Sequence, residues 1–263
     1  MMRETHRTGK HAVPPRIALA VLVLGMGVAA APSALAAEVV DIALVLAADV
    51  SRSVDQDEFK LQREGYANAF SDPRVMKAIQ AGPSGALAVS FVEWSGASEQ
   101  KVVVDWTVIR DGESAAVFAS QVLAAPRSFA GFTSISAAID FAIERFAAAE
   151  FKAERRVIDI SGDGTNNSGR PVTLARDEAV AKGVTINGLA IINLNPHPGF
   201  IAHIQPPGGL PNYYRENVIG GPAAFLVVIE DFKTFGQAIV NKLIGEIAER
   251  HAGPEGKRLA AGG

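Results

Sequence analysis

Five residues carry the first sign of chemistry. Asp49-Val50-Ser51-Arg52-Ser53 follows the apolar run Ile42 to Ala48, with Asp41 just before it. Alternation places Asp49, Ser51 and Ser53 on one side of a tight turn. A carboxylate and two hydroxyls held together suit a hard divalent cation such as Mg²⁺. They do not suit zinc, which favours nitrogen and sulfur. Two later segments offer more of the same. Gly131-Phe132-Thr133 stands just before a helical pattern, and Ser161-Gly162-Asp163-Gly164 ends another apolar run. Together the segments supply the carboxylates of Asp49 and Asp163 and the hydroxyls of Ser51, Ser53 and Thr133, with glycines permitting close backbone approach. Two carboxylates balance a divalent charge. Neutral hydroxyls leave the ion electrophilic, with room for water or an incoming acidic group. Mg²⁺ takes about six oxygens and usually keeps several waters; Mn²⁺ or Ca²⁺ fit the same donors.

The surrounding pattern says what must position these residues. Val39–Ala48, Arg156–Ile160, Val184–Ile192 and Phe225–Ile229 read as buried strands. Leu87–Trp94 and Val102–Val108 read as adjacent strands or a hairpin-like pair, and Trp94 and Trp106 as core or edge residues. Helical spacing covers Asp55–Phe70, Ser114–Leu123, Ser134–Ala148, Val172–Lys182 and Asp231–Ala248. Ser71-Asp72-Pro73 ends the first of these and Gly183 the fourth. Strands alternating with helices predict a doubly wound α/β domain, with a mostly parallel central sheet and helices on both faces. Such sheets bind ligands beyond the carboxyl ends of their strands, at the topological switch point. Asp49 and Asp163 both fall just there. Residues 193–222 break the rhythm with prolines and glycines, too long for an ordinary connection and expected to face a partner. Residues 251–263 read as a disordered tail.

The 263 residues include no cysteine, which excludes disulfides and thiolate metal sites. Arg3, Arg7, Lys10 and Arg16, then the apolar stretch Ile17 to Ala31 and Ala34-Leu35-Ala36, form the pattern of a secretory signal peptide cleaved after Ala36. An uncleaved anchor is the alternative, although the apolar stretch is short for a span of about 20 residues. Cleavage would leave residues 37–250 as the domain, without a membrane span, in a mature chain with a formal charge near −6. That charge argues against nucleic acid and anionic lipid as partners. The expected location is periplasmic or secreted, in a bacterium.

The three segments resemble the metal-ion-dependent adhesion site of the von Willebrand factor type A (vWA) superfamily. That pattern is Asp-x-Ser-x-Ser after the first strand, a Thr before a central helix, and an Asp after the fourth strand. Asp49, Ser51, Ser53, Thr133 and Asp163 match it. The resemblance spans about residues 39–250. The wording Ile160-Ser161-Gly162-Asp163-Gly164 and Tyr214-Arg215-Glu216-Asn217 resembles an exported bacterial branch of unassigned function. The resemblance implies a three-layer sandwich. Ser51, Ser53 and Thr133 would contact the ion directly, and Asp49 and Asp163 directly or through water. A partner's Asp or Glu would supply the last ligand. Many members carry Thr where this chain has Gly162, a departure in the ion's surroundings.

Other readings stay beside this one. Asp49 and Asp163 also suit ordinary helix caps. Ser51 or Ser53 as a hydrolytic nucleophile needs a nearby base, and no histidine motif stands out. His197 and His203, as a zinc or catalytic pair, lack further ligand spacing. Asp55, Asp57 and Glu58 suit the start of a helix electrostatically. Tyr213 and Tyr214 fit a contact surface or plain packing. The glycines form no dinucleotide or phosphate-loop motif. The expected function is therefore a non-enzymatic, metal-dependent protein-binding module. A metal-assisted hydrolase of phosphate esters or the like and an assembly scaffold with a vestigial site are the alternatives.

Overall fold

The apolar run before Asp49 becomes the central strand. The structure is a computed structural model that describes residues 37–192 and 206–248. Strand β1 (Val39–Asp49) buries every residue after Val39. It lies between β2 (Leu87–Trp94) and β4 (Lys152–Gly162), parallel to both. Burial on both faces is why these strands read as continuous apolar runs. The sheet order is β3-β2-β1-β4-β5-β6. Strand β3 (Gln100–Ile109) is antiparallel to β2, which makes the expected hairpin-like pair. Strands β5 (Val184–Ile191) and β6 (Leu226–Ile229) continue the parallel part. The chain reverses its direction of growth across β1 and β4, so the switch point falls between Asp49 and Asp163.

Alternation along β1 divides the core. Ile42, Leu44, Leu46 and Ala48 face α1 (Gln56–Phe70), α2 (Pro73–Gln80), α3 (Gly112–Ala124) and α7 (Phe235–Ala248). Val45 and Ala47 face α4 (Ile135–Ala147), α5 (Val172–Ala181) and α6 (Gly209–Tyr213). This is the three-layer sandwich expected from the sequence. The stripe Phe232, Phe235, Ile239, Leu243 and Ile247 is buried as the spacing predicts. Tyr66 ties the first face together, its ring edge-on to Phe91 at 5.0 Å and to Phe235 at 5.3 Å. Trp94 is fully buried, and Trp106 is half-buried on edge strand β3.

Local chemistry sets the element ends. Asp55 and Glu58 start α1 by a reciprocal capping box, not by charge alone: each side chain accepts from the other's backbone N–H at 2.8 Å. Ser71-Asp72-Pro73 ends α1 but also opens α2. The Asp72 side chain accepts from Arg74 N, and Pro73 occupies the first turn, where its missing N–H costs nothing. Gly183 stops α5 with a left-handed φ of 74°. Within the 193–222 insertion, residues 206–222 are described and hold α6 and a π-helical turn, Tyr214–Val218. The expected signal peptide at 1–36, the expected tail at 251–263, His197 and His203 lie outside the described residues. Among the described residues no helix is long and apolar enough to cross a membrane.

Candidate metal site

Asp49 is the last residue of β1, and the turn after it folds around its carboxylate. Ser51 N donates to Asp49 Oδ1 at 2.7 Å, so the acid shapes its own loop. Ser51 Oγ and Ser53 Oγ lie 3.2 Å apart. Ser53 Oγ donates to Asp163 Oδ1 at 2.8 Å, across a sequence separation of 110 residues. Asp163 follows β4, the strand beside β1. Four of the five expected residues thus form one hydrogen-bonded cluster. Asp49, Ser51 and Asp163 are buried, and Ser53 is half-buried.

Thr133 reaches the same end of the sheet through its backbone. Thr133 N donates to Asn167 Oδ1 at 2.9 Å, and its carbonyl accepts from Asn167 N and Ser168 N. That joins the second segment to the third. Arg52 N donates to the Gly131 carbonyl at 3.0 Å, which joins the first to the second. Thr133 is buried, whereas its neighbour Phe132 is 68% exposed.

The donor set fits a hard cation. All five side chains offer oxygen. Adjacent ligands of an octahedral Mg²⁺ at about 2.1 Å lie about 3 Å apart. The Ser51–Ser53 spacing of 3.2 Å and the Ser53–Asp163 spacing of 2.8 Å match that edge. Among the described residues no group of three or more His, Cys, Asp and Glu gathers to hold a metal, at this site or elsewhere, and the candidate site has only two carboxylates beside its hydroxyls.

A family model described as "Protein of unknown function (DUF1194)" matches residues 38–251. The chain belongs to the DUF1194 family. No curated protein matches it. The solved structures it resembles share its fold at low identity. Proximal thread matrix protein 1 from the mussel byssus is 15% identical with a TM-score of 0.58, covering 81% of this chain and 49% of that one. A second structure of that protein, with a zinc-occupied MIDAS motif, is 14% identical over 80% of this chain and 46% of that one, with a TM-score of 0.52. A von Willebrand factor type A protein from Catenulispora acidiphila is 17% identical, covering 80% of this chain and 42% of that one, with a TM-score of 0.52. The pilus adhesin SpaC from Lactobacillus rhamnosus GG is 13% identical over 81% of this chain and 32% of that one, with a TM-score of 0.55. The chain spans about half or less of the length of these structures. Its fold is that of the vWA domain.

The DUF1194 chain also uses residues that the sequence did not mark. Arg127 donates through Nη2 to the carbonyls of Val50 and Ser51 and through Nε to that of Phe129, each at 2.8 Å. It pins the Asp-x-Ser-x-Ser turn to the loop before α4. Burial lowers its pKa, while Glu93, Asp49, Asp55 and Asp163 pull the other way. Glu93, at the end of β2, is fully buried against Arg63 at 2.5 Å and accepts from Ser128 N at 2.8 Å. These partners neutralise Glu93 and set it apart from Asp49 and Asp163. A lone Arg in Ala125-Pro126-Arg127-Ser128 carries no periodicity or motif that could have revealed this role.

Gly162 departs from the wider pattern, and Tyr214, from the described part of this chain's insertion, occupies the space beside it. A Cβ at Gly162 would stand 2.9 Å from both Asp49 Oδ2 and the Tyr214 hydroxyl. Tyr214 fills that space from the π turn. Its ring is buried in the core on the α4 and α5 side. Burial first, then Asp49 and Asp163, holds its phenol well above its usual pKa. The adjacent Tyr213 hydroxyl accepts from Asn166 N at 3.1 Å.

Proposed function

We propose that this chain is an exported, metal-dependent protein-binding module. In this reading Asp49, Ser51, Ser53, Thr133 and Asp163 hold one divalent cation, with Mg²⁺ the best fit to their oxygens. The ion supplies a local positive charge that an Asp or Glu of a partner protein completes. The observation that carries the reading is the Ser53–Asp163 hydrogen bond, because it unites two distant loops at the switch point. The mussel protein, similar in fold, has a zinc-occupied MIDAS motif, which supports the metal-binding reading here. The signal-peptide pattern at 1–36 supports export. In this reading the five groups hold the ion and the chain binds rather than reacts.

Exposed Phe132 stands next to Thr133 and gives the site an apolar rim. Interfaces place aromatic anchors beside their polar contacts. The test is capture of a partner from periplasmic extract, with Mg²⁺ and with chelator. A partner retained with Mg²⁺ and released by chelator is expected. Retention indifferent to chelator would refute metal dependence, and hydrolysis of phosphate or carboxylate esters requiring Thr133 would replace binding by catalysis. Phe132→Ala is expected to weaken capture about tenfold or more and to leave Mg²⁺ uptake, followed by calorimetry, unchanged.

A further inference from the structure

We infer that the Tyr214 hydroxyl becomes a working part of this site when the ion binds: a positioning residue that then donates a hydrogen bond into the oxygen shell around Asp49 and Asp163. The inference rests on the metal-dependent reading above. Its first ground is the notch at Gly162. The Tyr214 hydroxyl and Asp49 Oδ2 each stand 2.9 Å from the point a Cβ would occupy. Any side chain at 162 would push into one or both. The glycine is therefore what admits a phenol from a different part of the chain to the edge of the acid pair.

The second ground is the state of the phenol itself. Tyr214 is fully buried, and its hydroxyl has no hydrogen-bond partner among the described residues. A buried hydroxyl without a partner is unfavourable, and phenylalanine would fill the same core without that loss. A phenol is a donor, and after burial the groups that act on it most are the acids of Asp49 and Asp163. A donor at the edge of ligand carboxylates can bond to them and orient them, as outer partners do at metal sites generally.

The third ground is where the tyrosine comes from. Tyr214 opens the π-helical turn Tyr214–Val218, and such turns gather at functional positions. Its neighbour Tyr213 accepts from Asn166 N, and Asn167 holds Thr133. Two successive tyrosines thus grip the loop 162–167 from the described part of the insertion. Occupancy of the ion would be felt directly by α6 and the π turn.

Calorimetric titration of Mg²⁺ into the full chain and into Tyr214→Phe tests the role. The expected result is a Kd raised about tenfold at unchanged stoichiometry. Thermal melts in chelator supply a readout that packing alone would not give. There Tyr214→Phe should be as stable as wild type or more so, because only a partnerless hydroxyl is gone. Equal Mg²⁺ affinity in the two proteins overturns the inference and leaves the metal reading standing. Absence of Mg²⁺ uptake by wild type overturns both. Gly162→Ala, which crowds the same two oxygens from the other side, is expected to weaken Mg²⁺ uptake as well, and an unchanged affinity there would count against the notch.

Discussion

Asp49→Ala is expected to abolish the proposed Mg²⁺ uptake and the stabilisation that goes with it. Asp49 contributes twice. One carboxylate oxygen shapes the Ser51–Ser53 turn through Ser51 N, and the other lies at the Gly162 notch. Alanine removes one of the two negative charges that balance the ion and also loosens the turn that presents both serines. Binding to the folded state alone stabilises it by about 2.7 kcal/mol at a hundred times Kd. For a domain of this size that raises Tm by roughly 5–10 °C. The wild type is expected to gain that much between chelator and saturating Mg²⁺, and Asp49→Ala to gain none. Asp49→Asn separates charge from shape, because its amide oxygen still accepts from Ser51 N. Its melt in chelator should stay close to wild type while its Mg²⁺ gain disappears. A full Mg²⁺ shift in Asp49→Asn would show that the charge is dispensable and that the site is not built as proposed.

Much of this site was legible because its residues are local signals at strand ends. Strands β1, β4 and β5 are buried on both faces, so their apolar runs announce themselves and their last residues point to the switch point. What sequence hid falls into two kinds. Helix α2 was masked because Asp72-Pro73 is both a stop for one helix and a start for the next. Helix α6 and the π turn were masked by the prolines and glycines around them. The second kind depends on tertiary contact. Nothing near Tyr214 in sequence says that Gly162 leaves it room. Nor does Asp159, inside the apolar run of β4, reveal that a lysine on α7 faces it. Lys242 and Glu246 have the i,i+4 spacing common to surface ion pairs, yet both are buried.

That buried cluster gives the largest stability effect. Lys242 Nζ lies 2.8 Å from Asp159 Oδ1 and 2.5 Å from Glu246 Oε1, with all three side chains at most 1% exposed. Asn187 Nδ2 donates to the same Glu246 oxygen at 3.0 Å, and the Arg155 guanidinium donates to the Glu246 carbonyl. Burial alone would lower the Lys242 pKa, but the two carboxylates more than reverse it and keep the ammonium charged. Asp159 is pushed up to about 7, chiefly by burial, with Glu246 adding and Lys242 opposing. Lys242→Met leaves two carboxylates buried without their cation. The expected loss is about 3–5 kcal/mol, a large share of a typical 5–15 kcal/mol. The pH dependence has a fixed sign. A carboxylate whose folded pKa exceeds its unfolded value contributes most below the unfolded pKa of 3.8, and that contribution fades as pH rises through the folded value. In wild type the fading ends once the pH has passed the Asp159 value of about 7. Without Lys242 its pKa climbs further, so the variant keeps losing stability above pH 7, by up to about 1.4 kcal/mol per pH unit. Urea unfolding at pH 6 and pH 8.5 should therefore find the gap between variant and wild type wider at the higher pH. A gap that is constant or narrower would mean that the lysine does not hold Asp159 ionised. Adding Asp159→Asn to Lys242→Met should recover part of the loss and flatten the dependence, because the uncompensated charge goes with it.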